Sequence, residues 1–164
     1  MLTIVPYRAE LVSAFARLNR EWIERLFTLE PSDSKVLEDP ERAIIALGGQ
    51  IFFALDGTEA VGTAAAVPYP PNRFELAKKA VASAYQGRGI GRRLGEAIIT
   101  FASGAGAETL FLLTNSRLQG AIHLYEQLGF RHRPLPSHTG YTRADVYMEL
   151  PLTKAPAGAR PNTD

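Results

Sequence analysis

The sequence predicts one mixed α/β domain built on a central sheet. Its 164 residues, with 46% apolar and 21% charged side chains, suit a single globular domain that buries its own core. Apolar residues alternate with period two in some segments and recur every three or four positions in others. The resulting order is strand, helices, three strands, helix, strand, helix and a last strand, which is typical of a mixed fold.

The first half of the chain is predicted to hold a strand, two helices and a hairpin. Glu30-Pro31 ends the long helix, because a residue before proline avoids the helical region. Asp56-Gly57 is a hairpin signal between two apolar runs, and the prolines at 68, 70 and 71 predict a loop. The predicted elements are strand Leu2–Tyr7, a helix from Ala9 to about Phe27, a short helix capped by Ser32 or Asp33 and ended by Pro40, and strands Gln50–Leu55 and Val61–Val67.

The second half alternates strands and helices. Gly129 is expected to follow the second helix of this half, since glycine commonly ends helices. The predicted elements are strand Phe74–Val81, a helix from Gly89 to about Ser103, strand Leu110–Thr114, helix Leu118–Leu128 and strand Ala144–Leu150. Residues 151–164 lack apolar periodicity, so we expect a domain over 1–150 and a disordered tail over 151–164.

Composition excludes several classes of function. Eighteen basic and seventeen acidic residues give a net charge of +1, so neither nucleic acid nor a membrane is expected as a partner. The chain has no cysteine, which excludes disulfides, cysteine-ligated zinc and an acyl-cysteine intermediate. No metal site is expected, and the absence of a signal-like N-terminal segment predicts a soluble, cytoplasmic protein.

A glycine-rich turn is the most informative local pattern. The run Gln86-Gly87-Arg88-Gly89-Ile90-Gly91 follows a predicted strand and opens a predicted helix. Glycines allow close backbone approach, and the N–H groups at a helix start bind phosphate oxygens, to which Arg88 and Arg92 add charged donors. The pattern lacks the ending of a P-loop and the spacing of a Rossmann turn. A tight turn with surface arginines is the alternative interpretation.

Two signatures together resemble the GNAT (Gcn5-related N-acetyltransferase) superfamily. The segment Val81–Leu94 resembles the family's acetyl-CoA pyrophosphate motif, with Ser83 where a proline is common. About 35 residues later, Ala121–Phe130 resembles the second signature, a helix that carries a tyrosine and ends in Gly-Phe. The resemblance implies a GNAT fold: a mostly antiparallel mixed sheet, flanked by about four helices, whose middle strands Phe74–Val81 and Leu110–Thr114 splay apart.

The resemblance implies that acetyl-CoA is the co-substrate and lies in this gap. Its pantetheine arm would pair with the backbone of Lys79 to Val81, and adjacent Lys78-Lys79 is compatible with a β-bulge. The family places asparagine at the position of Leu118, so Asn115 is a substitute candidate. The predicted cofactor-binding residues are Lys79, Ala80, Val81, Gln86, Gly87, Arg88, Gly89, Ile90, Gly91, Arg92 and Asn115.

The same resemblance implies two catalytic residues. Tyr125 matches the family tyrosine that protonates the leaving thiolate, and a phenol with a pKa of about 10 carries its proton at neutral pH. Glu75 matches the glutamate that some members use as general base, whereas Leu113 occupies another base position and cannot serve. The alternatives are a packing aromatic for Tyr125 and an ordinary strand-end charge for Glu75. An N–H near Ala80–Val81 would stabilise the oxyanion.

The expected activity is direct acetyl transfer to a primary amine within a ternary complex, and the alternative is a non-catalytic acyl-CoA-binding or regulatory domain. Residues 21–41 contain seven acids and two bases, which predicts attraction of a cationic amine or simply a solvated helix face. Trp22, Phe27 and Tyr69 are expected to line the acceptor cleft or to pack. A homodimer is a further expectation that the family implies.

Overall fold

The computed structural model describes residues 1–152, and seven strands of that region form one sheet in the order β1-β2-β3-β4-β5-β7-β6. No helix within this range is long and apolar enough to cross a membrane. The elements are β1 (Leu2–Pro6), α1 (Val12–Leu26), α2 (Pro31–Glu38), α3 (Pro40–Ala43), β2 (Gln50–Asp56), β3 (Glu59–Tyr69), β4 (Arg73–Val81), α4 (Ile90–Gly104), β5 (Thr109–Thr114), α5 (Gln119–Gln127), β6 (Arg131–Arg133) and β7 (Val146–Pro151).

The sheet confirms the predicted fold, including the splayed middle strands. Strands β1 to β4 form an antiparallel meander, and α4 then carries the chain to β5, which lies parallel to β4. The β4–β5 pairing covers only Arg73–Glu75 against Thr109–Phe111. Beyond these three pairs the two strands diverge, although β4 continues to Val81 and β5 to Thr114. The divergence opens the middle of the sheet toward its carboxyl edge.

A β-bulge interrupts β4 beside this opening. Thr63 of β3 pairs with Ala80 and Ala65 pairs with Ala77, so one residue of β3 opposes both Lys78 and Lys79. Lys78 has a φ of 55°, an unfavourable left-handed conformation for a side chain with a Cβ. The bulge leaves Lys78 on the α1 and α2 face, where it contacts Asp33, and directs Lys79 to the α4 and α5 face, where it contacts Gly91 and Tyr125.

Two apolar cores cover the two faces of the sheet. Phe15 and Leu18 of α1 pack with Phe53 on one face, whereas Leu94 and Ile98 of α4 pack on the other. Gly62 of β3 leaves room for α4 to pack on its face of the sheet. A Cβ there would lie 3.1 Å from both Ile90 and Leu94 side-chain carbons, so a larger residue would force these side chains of α4 to shift.

A buried ionic cluster joins α2 to the bulge and to the segment before β7. The Asp33 carboxylate is fully buried and accepts from Lys78 Nζ at 2.7 Å. Both terminal nitrogens of Arg143 also donate to Asp33, at 2.6 and 2.7 Å, and Arg143 reaches Glu30 at 3.3 Å. Burial by itself raises the pKa of Asp33, but hydrogen bonds from Arg143 and Lys78 outweigh it and hold this pKa at about 2.

The structure changes several predicted boundaries in the first half. Glu30, rather than Ser32 or Asp33, is the N-cap of α2, and its N–H donates to the Asp33 side chain at 2.9 Å. Pro40 begins the four-residue helix α3 directly after α2. Pro68 belongs to β3 rather than to a loop. The β2 strand pairs with β3 only as far as Ala66, so Pro68 has no neighbouring strand on that side and needs no N–H there.

Two differences concern the end of the chain. The strand β6 (Arg131–Arg133) was not predicted, because its three exposed polar residues have no apolar alternation. Pro151, placed in the tail by the sequence, is the last residue of β7, and the N–H of Leu152 donates to the Glu108 carbonyl at 2.8 Å. The rest of the predicted disordered tail lies outside the described residues.

The ionic cluster generates a prediction about stability. Asp33→Ala leaves the buried Lys78 and Arg143 without their shared anion, so we expect the free energy of unfolding in urea to fall by about 3–5 kcal/mol. Glu38→Ala is the matched control, because Glu38 lies on α2 like Asp33, but its ion pair with Arg20 of α1 is exposed. The loss of this pair should change stability by less than about 1 kcal/mol. Equal losses in the two variants would contradict the importance of the cluster.

Candidate active site

The opening between β4 and β5 is a groove of about 670 Å³. It is walled by β4, the end of β5, the glycine-rich turn, α5 and the end of α1. Nine of the eleven residues predicted to bind the cofactor line it: Lys79, Ala80, Val81, Gln86, Gly87, Gly89, Ile90, Gly91 and Arg92. The predicted residues of β4 and those of the glycine-rich turn therefore line the same groove.

The glycine-rich turn has the backbone conformation that its glycines predict. Gly87 and Gly89 have φ values of 80° and 81°, and no atom lies within 4 Å of a Cβ built at either position. Gly89 is the N-cap of α4, so the first N–H groups of this helix have no partner within it. With the positive end of the helix dipole, these groups form an anion-binding surface at one end of the groove.

Two predicted cofactor-binding residues, Arg88 and Asn115, are not among the residues that line the groove. The Arg88 guanidinium lies 4.8 Å from the ring centre of Tyr85. Asn115 Nδ2 donates to the Arg143 carbonyl at 2.7 Å, and Asn115 Oδ1 accepts from the Arg117 N–H at 2.8 Å. Asn115 thus organises the segment after β5, and a cofactor contact from either residue stays a prediction.

A smaller cavity of about 70 Å³ adjoins the groove and contains Glu75. Its wall includes Trp22 and Phe27, two of the three aromatic residues expected near an acceptor, while Tyr69 packs edge-on against Phe111 at 5.0 Å. The two spaces share the wall residues Trp22, Ala77, Lys78, Leu113, Thr114 and Leu118. A molecule in the cavity would therefore lie next to one in the groove.

Glu75 is a buried carboxyl group with an unusual ionisation. Its side chain is among the few buried charged ones, with 7% of the residue exposed. Burial raises the pKa of Glu75 to about 7, and the positive charge of Lys78 and a hydrogen bond from Tyr69 only partly offset this effect. A carboxyl group with this pKa exchanges protons near neutral pH, as a general base must.

Tyr125 lies on α5 and lines the groove. Its ring packs edge-on against Phe130, with 5.8 Å between ring centres, and Lys79 Nζ lies 5.3 Å from the Tyr125 ring centre. Burial raises the pKa of Tyr125 well above its ordinary value, so the phenol keeps its proton throughout the physiological range. Tyr125 thus carries its proton at neutral pH and lines the groove, whereas Glu75 lines the adjoining cavity.

Sequence reasoning missed the groups that shape the cavity. Lys78 donates to Asp33 and, at 3.0 Å, to the Tyr141 hydroxyl, and its Nζ lies 4.4 Å from the Tyr141 ring centre. The Arg143 guanidinium lies 4.8 Å from the same ring centre. Arg143 and Tyr141 lie in an irregular stretch before β7 without a periodic pattern, so no sequence signal was available for them.

Most acids of residues 21–41 form hydrogen bonds or ion pairs within the domain. These contacts join, among others, Glu21 to Ser83, Glu38 to Arg20 and Glu41 to Tyr7. None of the seven acids lines the groove or the cavity. These acids therefore contact neither space directly, and the preference for a cationic acceptor stays a prediction.

A family model described as the acetyltransferase (GNAT) family matches residues 15–130. The chain therefore belongs to the GNAT acetyltransferase family, as the two signatures predicted. The match covers both signatures and the strands that form the groove.

Curated relatives and solved structures agree with this assignment. The N-acetyltransferase 8F1 of Rattus norvegicus is 30% identical over 115 residues, which are 67% of this chain and 51% of that protein. The N-acetylaspartate synthetase of Homo sapiens is 32% identical over 104 residues, 62% and 34% of the two chains. The chain spans about half the length of the first of these relatives and a third of the second.

Two solved structures share the fold along nearly the whole chain. A GNAT-family acetyltransferase from Staphylococcus aureus Mu50 superimposes with a TM-score of 0.85 at 21% identity, covering 93% of this chain and all of that one. YncA from Salmonella typhimurium, solved with its cofactor acetyl-CoA, superimposes with a TM-score of 0.74 at 20% identity, covering 94% and 95%.

The buried carboxyl group of Glu75 generates a prediction about stability and pH. Its folded-state pKa of about 7 exceeds the ordinary value of 4.5, so the folded state loses stability as the pH rises from about 4.5 to about 7, and the loss is complete above pH 7. Glu75→Gln mimics the neutral form, so its free energy of unfolding should exceed that of the wild type by about 3 kcal/mol at pH 8.5 and much less at pH 5. Urea unfolding at both pH values measures this; a difference independent of pH would contradict it.

Proposed function

We propose that the chain catalyses direct transfer of an acetyl group from acetyl-CoA to a primary amine within a ternary complex. The observation that carries the proposal is the pair of adjoining spaces on the two sides of β4. One contains a carboxyl group able to accept a proton near neutral pH, and the other is bordered by a phenol able to donate one. Acyl transfer from a thioester to an amine is accelerated by a base that removes the amine proton and by an acid that protonates the leaving sulfur.

The groove has the features that suit the donor. The N–H groups at the start of α4 and the Arg92 guanidinium would hold the pyrophosphate, which Gly87 and Gly89 allow to approach the backbone. The Ala82 N–H donates to β3, at the Val61 carbonyl. Since N–H directions alternate along a strand, the Val81 N–H points into the opening and can donate to the donor molecule.

The two catalytic residues would act at opposite ends of the reacting centre. Glu75 would take a proton from the acceptor amine, directly or through water, which frees the nitrogen lone pair to attack the thioester carbon. As the carbon–sulfur bond breaks, the sulfur would receive the Tyr125 proton and leave as a neutral thiol. The chain has no cysteine, which supports direct transfer over a route through an acyl-cysteine intermediate.

The acceptor would enter through the cavity that contains Glu75. Its aromatic wall at Trp22 and Phe27 and its small volume suit the amine-bearing end of a molecule rather than a bulky body. Thiol release from acetyl-CoA, measured across small amines, amino acids, polyamines and peptides, identifies the class. Binding of acetyl-CoA without turnover of any amine would instead favour the non-catalytic alternative.

The proposed base generates a prediction about the pH–rate profile. Glu75→Gln should lower kcat/KM for the amine by about 10²–10⁴-fold above pH 7, where the wild-type carboxyl group is ionised. Below its pKa of about 7 Glu75 is increasingly protonated, so the advantage of the wild type should shrink. The ratio of the two kcat/KM values cancels the amine's own ionisation. A ratio that does not change with pH would remove Glu75 from the base role.

The proposed donor site generates a prediction about binding. Gly89→Asp introduces a negative charge at the start of α4 and should weaken acetyl-CoA binding by at least about 100-fold, because charged hydrogen bonds are lost. Gly106→Asp is the matched control: Gly106 also has a positive φ and open space at its Cβ, but it follows the opposite end of α4. Calorimetry should show near-normal affinity for this control, and similar weakening in both variants would contradict the site.

A further inference from the structure

Lys79 is a cation without a partner inside the groove. Its Nζ lies 5.3 Å from the Tyr125 ring centre, and a Cβ built on Gly91 would lie 3.3 Å from the same Nζ. The ammonium therefore packs between α5 and the first turn of α4. Within residues 1–152, no carboxylate pairs with Lys79 and no hydrogen-bond acceptor receives its protons. Lys78, its neighbour in the sequence, has Asp33 and Tyr141 as partners.

The position of Lys79 is electrostatically unfavourable for a permanent charge. It is half-buried, and the adjacent start of α4 carries the positive end of a helix dipole. Burial lowers the pKa of Lys79 to about 8. The ammonium form therefore still prevails at neutral pH, but its proton is easier to remove than that of an ordinary lysine.

Tyr125 is, by contrast, a reluctant acid in this environment. Burial raises its pKa well above the ordinary value, whereas an alkyl thiol has a pKa of about 8.5. A phenolate left behind by proton donation would be an unpaired buried charge, which is costly unless a nearby group neutralises it. Lys79 is the cation that contacts the Tyr125 ring, and it carries a transferable proton.

We propose that Lys79 is a positioning residue that acts through Tyr125, returning to it the proton that Tyr125 gives to the leaving sulfur. The inference rests on the proposed acetyl transfer. In this step the carbon–sulfur bond breaks, the sulfur takes the Tyr125 proton, and the phenolate takes one from the Lys79 ammonium through an intervening water, because the two groups are not hydrogen-bonded to each other directly. The resulting neutral amine regains a proton from solvent, which balances the proton that the acceptor nitrogen loses.

Other charged groups around the groove do not compete for this role. Arg25 from α1, Arg92 from α4 and Arg117 from the β5–α5 segment also line it, and arginine keeps its proton. Lys78 contacts Asp33 on the other face of the sheet, and the Tyr85 hydroxyl donates to Asp56 at 2.7 Å. Within residues 1–152, Lys79 is therefore the cation of the groove that both contacts the Tyr125 ring and can give up a proton near neutral pH.

A double-mutant cycle on kcat tests the inference. Lys79→Met should lower kcat with acetyl-CoA by about 10–100-fold in the wild-type background and by less than about twofold in Tyr125→Phe, because coupled residues are not additive. Exposed Lys35→Met serves as control and should leave kcat unchanged. Equal effects of Lys79→Met in both backgrounds would overturn the inference while leaving the acid role of Tyr125 intact. An unchanged kcat in Tyr125→Phe alone would overturn both assignments.

Two further readouts separate proton supply from phosphate binding and from packing. The ratio of wild-type to Lys79→Met kcat should fall as pH rises through about 8, where the ammonium is lost. The kcat loss should also persist with S-acetylpantetheine, a donor without phosphates. A pH-independent ratio, or a loss that disappears with this donor, would overturn the inference, the latter in favour of a phosphate ligand.

Discussion

The contact between Asp33 and Lys78 is the interaction on which the site depends. Lys78 adopts a left-handed backbone conformation that isolated lysines avoid, and the buried carboxylate at 2.7 Å holds its side chain on the α2 face. The resulting bulge leaves Ala77 and Lys78 together on one side of β4 and directs Lys79 to the other. A single backbone irregularity thus directs Lys79 into the groove, whereas Lys78 borders both the groove and the smaller cavity.

Burial determines the chemistry on both sides of this strand. It raises the pKa values of Glu75 and Tyr125 and lowers that of Lys79, so each of these groups moves toward its neutral form. Asp33 is buried even more completely, yet its pKa falls because Arg143 and Lys78 donate to it. Within the described part of the chain, Glu75 and Lys79 lack a direct ionic partner and become able to exchange protons near neutral pH, whereas the fully paired carboxylate of Asp33 keeps a fixed charge and serves the structure.

The near-zero net charge of the chain conceals a local separation of charge. The acids of residues 21–41 stabilise the helical half of the fold through contacts such as Asp33 with Arg143. The groove, by contrast, is lined by cations: Arg25, Lys78, Lys79, Arg92 and Arg117. This distribution suits a phosphate-rich donor, and Glu30 and Asp33 of the acidic segment pair with Arg143 inside the fold.

The sequence by itself determined the order of the elements, the glycine-rich turn and the family. These features depend on local periodicity and on contiguous residues, such as Gly87 to Gly91, whose backbone conformation needs glycine wherever the turn lies. The tertiary structure decided the rest. Arg143 reaches Asp33 across 110 residues of sequence, and the neighbours Lys78 and Lys79 face opposite environments. Ion pairing and burial depend on which distant segments pack together, and no local pattern records that arrangement.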